Sequence, residues 1–246
     1  MPKFFVENSQ IRENEITITG QDINHIRNVL RLKVDSQITV CNKDTGTNYH
    51  CSIKAIEKEK IICTILGQSD DTTEPSTYIH IFQGLPKADK LAWVIEKATE
   101  IGVKEMTPVE MQRTVVKLDD KTKEKKRQRW STIAETASKQ SGRDAILKVN
   151  NVRNFKNIVE NLEEYDIVIV AYEKEQHTTL KQGLHAVDKG ARIAVVIGPE
   201  GGIAEEEIEM LQQKNNVSIV TLGKRILRTE TAPLVIASNI LYELEE

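Results

Sequence analysis

Residues 195–203 read Val195-Val196-Ile197-Gly198-Pro199-Glu200-Gly201-Gly202-Ile203, a β-branched apolar run that breaks into a glycine-rich loop. The run predicts a strand buried on both faces, and beyond the loop Glu205, Glu206 and Glu207 open a helix. Glycines between a strand and a helix let backbone approach a ligand closely, as at the carboxyl ends of parallel sheets. The spacing matches neither G-x-G-x-x-G nor G-x-x-x-x-G-K-[ST]. Acids at this helix start favour the helix dipole and repel phosphate. A ligand without phosphates, held by backbone amides and carbonyls and carrying a positive centre, suits the loop better than NAD or ATP. A tight turn with exposed capping glutamates satisfies the same residues, so this stretch alone leaves the ligand open.

A second unusual loop lies downstream: Leu222-Gly223-Lys224-Arg225-Ile226-Leu227-Arg228-Thr229-Glu230-Thr231-Ala232-Pro233. It runs into an apolar helix, with Thr231 as N-cap and Pro233 in the first turn. Upstream, apolar strands at 78–82, 106–109, 167–171 and 193–197 alternate with helical patterns, and another strand follows at 217–222. That alternation predicts an α/β domain with a parallel sheet covered by helices. Leu91, Val94, Ile95, Ala98 and Ile101 form one helical stripe ending at Gly102, and Trp130, Ile133, Ala134 and Ala137 another ending near Gly142.

From Phe4 to about Leu66 the rhythm is of period two instead, which predicts a small β-barrel-like domain. One helix is expected inside it over 21–32, where Ile23, Ile26, Val29 and Leu30 recur at helical spacing. The polar stretch 68–76 divides the chain, giving expected domains 1–72 and 73–246.

With 246 residues, 39% of them hydrophobic, the chain can bury a real core. A net charge of −3 excludes a histone-like or ribosomal-tail binder, so any nucleic-acid contact needs locally clustered basic residues. Cys41, Cys51 and Cys63 lack any C-x-x-C pair and alternate within apolar segments, which predicts buried free thiols. His25, His50, His80, His177 and His185 form no metal-binding spacing, so no metal is expected. There is no signal-like amino terminus and no apolar run of bilayer length, so a cytoplasmic protein without membrane contact is expected.

The two loops together, Gly198-Pro199-Glu200-Gly201-Gly202 and Leu222-Gly223-x-Arg225-Ile226-Leu227-Arg228-x-Glu230-Thr231-Ala232, resemble the cofactor-binding half of SPOUT methyltransferases, in this wording the RsmE family. Leu85-Pro86-Lys87-x-Asp89-Lys90, Glu96 to Gly102, Arg129-Trp130, Gln140 to Arg143 and His25-Ile26-x-x-Val29-Leu30-Arg31 extend the resemblance over nearly the whole chain. It implies a PUA-like amino-terminal domain, a trefoil-knotted α/β carboxyl-terminal domain and a homodimer. It also implies methylation of uridine N3 in 16S ribosomal RNA of the small subunit, with S-adenosylmethionine as methyl donor. The implied cofactor residues are Tyr172, Glu173, Ile197, Gly198, Pro199, Gly201, Gly202, Leu222, Gly223, Arg225, Ile226 and Leu227. Two departures, Lys3 where relatives often carry arginine and Gln112-Arg113-Thr114, put the RNA contacts in doubt more than the pocket.

Methylation at N3 requires loss of a proton and a nearby positive charge. Arg228 is expected to stabilise that developing anion, and Glu230 to orient the base or accept its proton. The same two residues, so close in sequence, also suit a plain ion pair. RNA backbone contacts are expected from Lys3, Arg27, Arg31, Lys33, Arg113 and Arg143, and the basic run 121–129 suits either such contacts or a solvated helix face. Two rivals stand beside this reading: a non-catalytic RNA-binding dimer, and a nucleotide-dependent oxidoreductase disfavoured by its missing glycine fingerprint.

Overall fold

The structure, a computed structural model, describes residues 1–69 and 71–245. Asp70 of the polar dividing stretch and the final Glu246 lie outside the described residues. The chain separates into two compact units, one formed by 1–74 with 138–146 and the other by 75–137 with 147–246.

The first unit is built on β1 (Lys3–Val6), β2 (Ile11–Arg12), β3 (Glu15–Ile18), β4 (Gln37–Asn42), β5 (Asn48–Ile56) and β6 (Ile61–Ser69). Their order is β1-β4-β5-β6-β3-β2, antiparallel except where β1 runs parallel to β4. Alternation sends Phe4, Val6, Ile16, Ile18, Ile38, Val40, Cys51, Ile53, Ile61 and Cys63 into one core. All three cysteines are free and buried, and burial pushes the Cys41 and Cys51 thiols up to about 11.

The helical segment of this unit departs from the expected regular helix. A single α turn, α1 (Gln21–Asn24), passes into a π turn over His25–Val29, closed by the Leu30 amide donating to the His25 carbonyl at 2.9 Å. The wider turn rotates the later residues away from the core. Ile26 is fully buried, whereas Val29 is 63% exposed.

The second unit contains β7 (Tyr78–Gly84), α2 (Lys90–Ile101), β8 (Glu105–Glu110), α3 (Asp120–Ser141), β9 (Lys148–Val149) and β10 (Arg153–Asn154). It continues with α4 (Phe155–Val159), β11 (Ile167–Ala171), α5 (Leu180–Gly183), β12 (Arg192–Ile197), α6 (Glu205–Gln212), β13 (Val217–Val220) and α7 (Ala232–Glu245). The last turn of α3 already belongs to the first unit. Strand order is β10-β8-β7-β12-β11-β13, with β9 beside β8, and every pairing is parallel.

Such a sheet needs cover on both faces. Val168, Val170, Ala194 and Val196 meet Ile158 of α4 and Ile208 and Leu211 of α6 in one core cluster. The intervening residues Ile169, Ile193 and Val195 are fully buried and point to the opposite face, where α7 packs on α2 and on β7 and β12. The α/β fold with a parallel sheet is therefore as the sequence predicts. Among the described residues, no helix is long and apolar enough to cross a membrane.

Candidate active site

The chain builds β7, β8 and β10 toward one edge of the sheet and β12, β11 and β13 toward the other, so strand order reverses at β7 and β12. Open α/β sheets bind ligands beyond the carboxyl ends of strands at such a point. Here a cleft of about 1020 Å³ opens. Tyr172 and Glu173 enter it after β11, Ile197 at the end of β12, and Gly198, Pro199, Gly201 and Gly202 after that strand. Leu222, Gly223, Arg225, Ile226 and Leu227 follow β13, and Arg228 and Glu230 of the same loop also line the cleft. All the residues expected at the cofactor thus lie around one cavity together with both catalytic candidates.

Backbone contacts knit the strand ends. The Tyr172 amide donates to the Val220 carbonyl at 3.1 Å, and the Thr221 amide to the Thr178 carbonyl at 2.8 Å. The glycines answer to close approach. A Cβ on Gly84 would lie 2.5 Å from the Pro199 nitrogen, and Gly202 holds φ at +73° where a Cβ would fall on the Glu173 carboxylate.

Thr229 joins the two loops. Its hydroxyl donates to the Gly198 carbonyl at 2.6 Å and accepts from the Gln83 side-chain amide at 2.9 Å. Sequence reasoning missed both Thr229 and Gln83, since neither residue type announces a long-range hydrogen bond.

Lys90, part of a recognised motif but given no role from sequence, also lines the cleft. Its ammonium lies 3.0 Å from Glu200 and 3.2 Å from Oε2 of Glu230, the second contact lying off hydrogen-bond alignment. Glu200 raises the Lys90 pKa most, with Glu230 adding to it. Burial pushes Glu200 toward the neutral acid, but hydrogen bonds from Lys90 and backbone amides prevail and hold it below the ordinary carboxylate range. Arg228 is 82% exposed, with Nη1 4.0 Å from Oε1 of Glu230, so the two are only loosely paired.

Arg113 lies against this loop too, donating to the Gly201 carbonyl at 3.1 Å. Its neighbour's amide is fixed by buried Glu207, which accepts from Gln112 at 2.8 Å and from the Ala204 amide at 3.0 Å.

Two of the expected RNA contacts are engaged elsewhere. Lys3 donates to the Gly142 carbonyl at 2.8 Å and to Asp144 at 2.5 Å, and the Asp144 side chain is almost wholly buried. Arg143 is itself buried, and two of its nitrogens reach Glu74 at 3.0 and 2.5 Å. Both charges serve the first unit's interior and do not face phosphate, because burying a carboxylate demands a cation beside it. Arg27 and Arg31 are exposed. Among the described residues, no group of three or more His, Cys, Asp or Glu could hold a metal ion.

Residues 73–241 match the RNA methyltransferase domain family, which is more than half of the chain. This chain belongs to the RNA methyltransferase family. Residues 18–66 match the RNA methyltransferase PUA domain, in the first unit. Ribosomal RNA small subunit methyltransferase E of Bacillus subtilis is 38% identical, covering 100% of this chain and 98% of its own. The Mesomycoplasma hyopneumoniae protein of the same name is 31% identical over 99% of this chain and 100% of its own. The crystal structure of ribosomal RNA small subunit methyltransferase E from Neisseria gonorrhoeae bound to S-adenosyl methionine superposes with a TM-score of 0.86 at 25% identity. That match covers 99% of this chain and 98% of the other. Among RNA methyltransferases, then, the likeness spans both units, an α/β unit with a parallel sheet and a unit that matches the PUA domain.

Proposed function

We propose that this RNA methyltransferase transfers a methyl group from S-adenosylmethionine to N3 of a uridine in 16S RNA of the small ribosomal subunit. The observation that carries the reading is the meeting of the 198–202 and 222–230 loops in one cleft. The cleft fits this donor: Gly198, Gly201, Gly202 and Gly223 line it with backbone, a Cβ on Gly223 would stand in open space, Ile197, Leu222, Ile226 and Leu227 offer apolar surface, and Glu173 offers a carboxylate. Bound there, the donor would supply an activated methyl on a sulfonium.

The protein's part is placement and charge. Gly198 to Gly202 and Leu222 to Leu227 would hold the donor with backbone groups, while Tyr172 and Glu173 line the same cleft, Glu173 beside Gly202. Loss of the N3 proton leaves a uracil anion, and a cation at the cleft mouth lowers the cost of that charge. Arg228 is exposed and loosely held, free to reach such a base. Glu230 sits two residues on, where it can orient the base or take its proton through water. A base paired in folded RNA has to leave its stack to enter the cleft. Arg27, Arg31 and Arg113 are exposed and would meet the RNA backbone.

A homodimer and a cytoplasmic location belong to the same reading, supported by the resemblance; light scattering of the purified protein tests the dimer. The deciding experiment maps modified nucleosides in 16S RNA from cells with and without the protein. Loss of one N3-methyluridine on deletion is expected. An unchanged modification map, or a methyl found on ribose, overturns the assignment.

A further inference from the structure

We propose that Lys90 is a positioning residue of the methyl transfer, holding Glu230 in place so that the Arg228 guanidinium stays free for the RNA base. The inference rests on the methyltransferase reading above.

Lys90 opens α2, and the turn before it is set by Ala88 in the left-handed region at φ +55°. A non-glycine residue there is strained and persists where the surroundings demand it. The side chain therefore leaves the helix start at a defined place, between Glu200 of one loop and Glu230 of the other.

The two carboxylates depend on it unequally. Glu200 also accepts from the Lys87 amide, at 3.0 and 3.3 Å, and keeps those bonds without Lys90. Oε2 of Glu230 is buried and, among the described residues, has no hydrogen-bond partner; the Lys90 ammonium at 3.2 Å is the charge it faces. Remove that ammonium and the nearest replacement is Arg228, whose Nη1 is already 4.0 Å from Oε1. Glu230 then draws the guanidinium inward, into an ion pair, and the base loses its cation. The donor cradle is held by other bonds, including Thr229 to Gly198, and stays intact.

The test compares wild type, Lys90→Met, Lys90→Arg, Glu230→Gln and the Lys90→Met/Glu230→Gln pair. Small subunits prepared from cells lacking the protein serve as methyl acceptor, and affinity for S-adenosylhomocysteine is measured by calorimetry. Lys90→Met should lower kcat by about tenfold or more while the ligand Kd stays within about threefold. Lys90→Arg should recover most of the loss. In the Glu230→Gln background the methionine should change kcat by less than about twofold, because the group it acts through is gone. Equal losses in both backgrounds, a Kd that worsens in step with kcat, or a Lys90→Met enzyme within about twofold of wild type overturns the inference. Should the methionine variant fail to fold, Lys90→Gln repeats the comparison. A wild type inert on every RNA offered sinks the functional reading itself, whereas an active wild type beside an unaffected Lys90→Met sinks only this one.

Discussion

The hydroxyl of Thr229 donates to the carbonyl of Gly198 at 2.6 Å, binding the loop after β13 to the loop after β12. Its other partner is Gln83, so three segments distant in sequence converge on one side chain. Thr229→Val keeps the shape and leaves the half-buried Gly198 carbonyl without this donor and the buried Gln83 amide without this acceptor. Such a loss costs about 1–3 kcal/mol. The melting temperature and affinity for S-adenosylhomocysteine should both fall, and Thr229→Ser should restore them. A valine variant as stable and as tight-binding as wild type would remove the bridge from the account.

Arg228 makes the opposite prediction. Because its side chain is 82% exposed, Arg228→Ala should alter stability by no more than about 0.5 kcal/mol. Turnover should drop by about a hundredfold or more, with ligand affinity unchanged. Methyl incorporation beside calorimetry reads both quantities. Near-normal turnover excludes Arg228 from the chemistry.

Stability should depend on acid through His80. Burial is the main cause that lowers its pKa from 6.5 to about 4, with the ring between the Tyr165 hydroxyl at 2.5 Å and Thr107 at 2.8 Å. The unfolded chain protonates this histidine near pH 6.5 and the folded one only near pH 4. Stability is then fully present above pH 6.5 and falls as pH drops toward 4, by about 3 kcal/mol over the window. Urea titrations at several pH values should show the slope, and His80→Gln should flatten it. Glu105, held down to about 2 despite burial by hydrogen bonds from Lys148, Tyr78 and Asn150, adds its own loss as pH falls from 4.5 toward 2.

The basic residues separate by what they face. Arg31→Ala and Arg113→Ala should each weaken RNA binding and reduce the slope of log affinity against log salt by about 1. Lys3→Met should leave that slope alone and destabilise the first unit by about 3–5 kcal/mol, since Asp144 is left buried without its cation. Filter binding over a salt series and thermal melts distinguish the two patterns. A slope reduced by Lys3→Met would return that residue to the RNA.

What could be read from sequence was what is local. The glycine loops are legible because close backbone approach demands glycine within a few residues, and the parallel strands because burial on both faces demands unbroken apolar runs. Lys90 and Thr229 were invisible as partners, since Glu200 and Gln83 stand 110 and 146 residues away. The π turn at His25–Val29 escaped because its apolar residues fit a regular helix equally well. Arg143 reads the same whether it faces phosphate or carboxylate, though Asp144 beside it hinted at an interior ion network.

The segment 138–146 joins a unit otherwise made from the first 74 residues, so the backbone passes between the two units three times. Asp144 brings to that unit the carboxylate that Lys3, Asn48 and Thr73 all engage. Cutting the gene near codon 74 therefore separates the six-stranded sheet from one of its own inner struts. An isolated amino-terminal fragment would carry Lys3 and Asn48 without their carboxylate, and transplanting this module onto another enzyme would require grafting a piece of its neighbour's long helix as well.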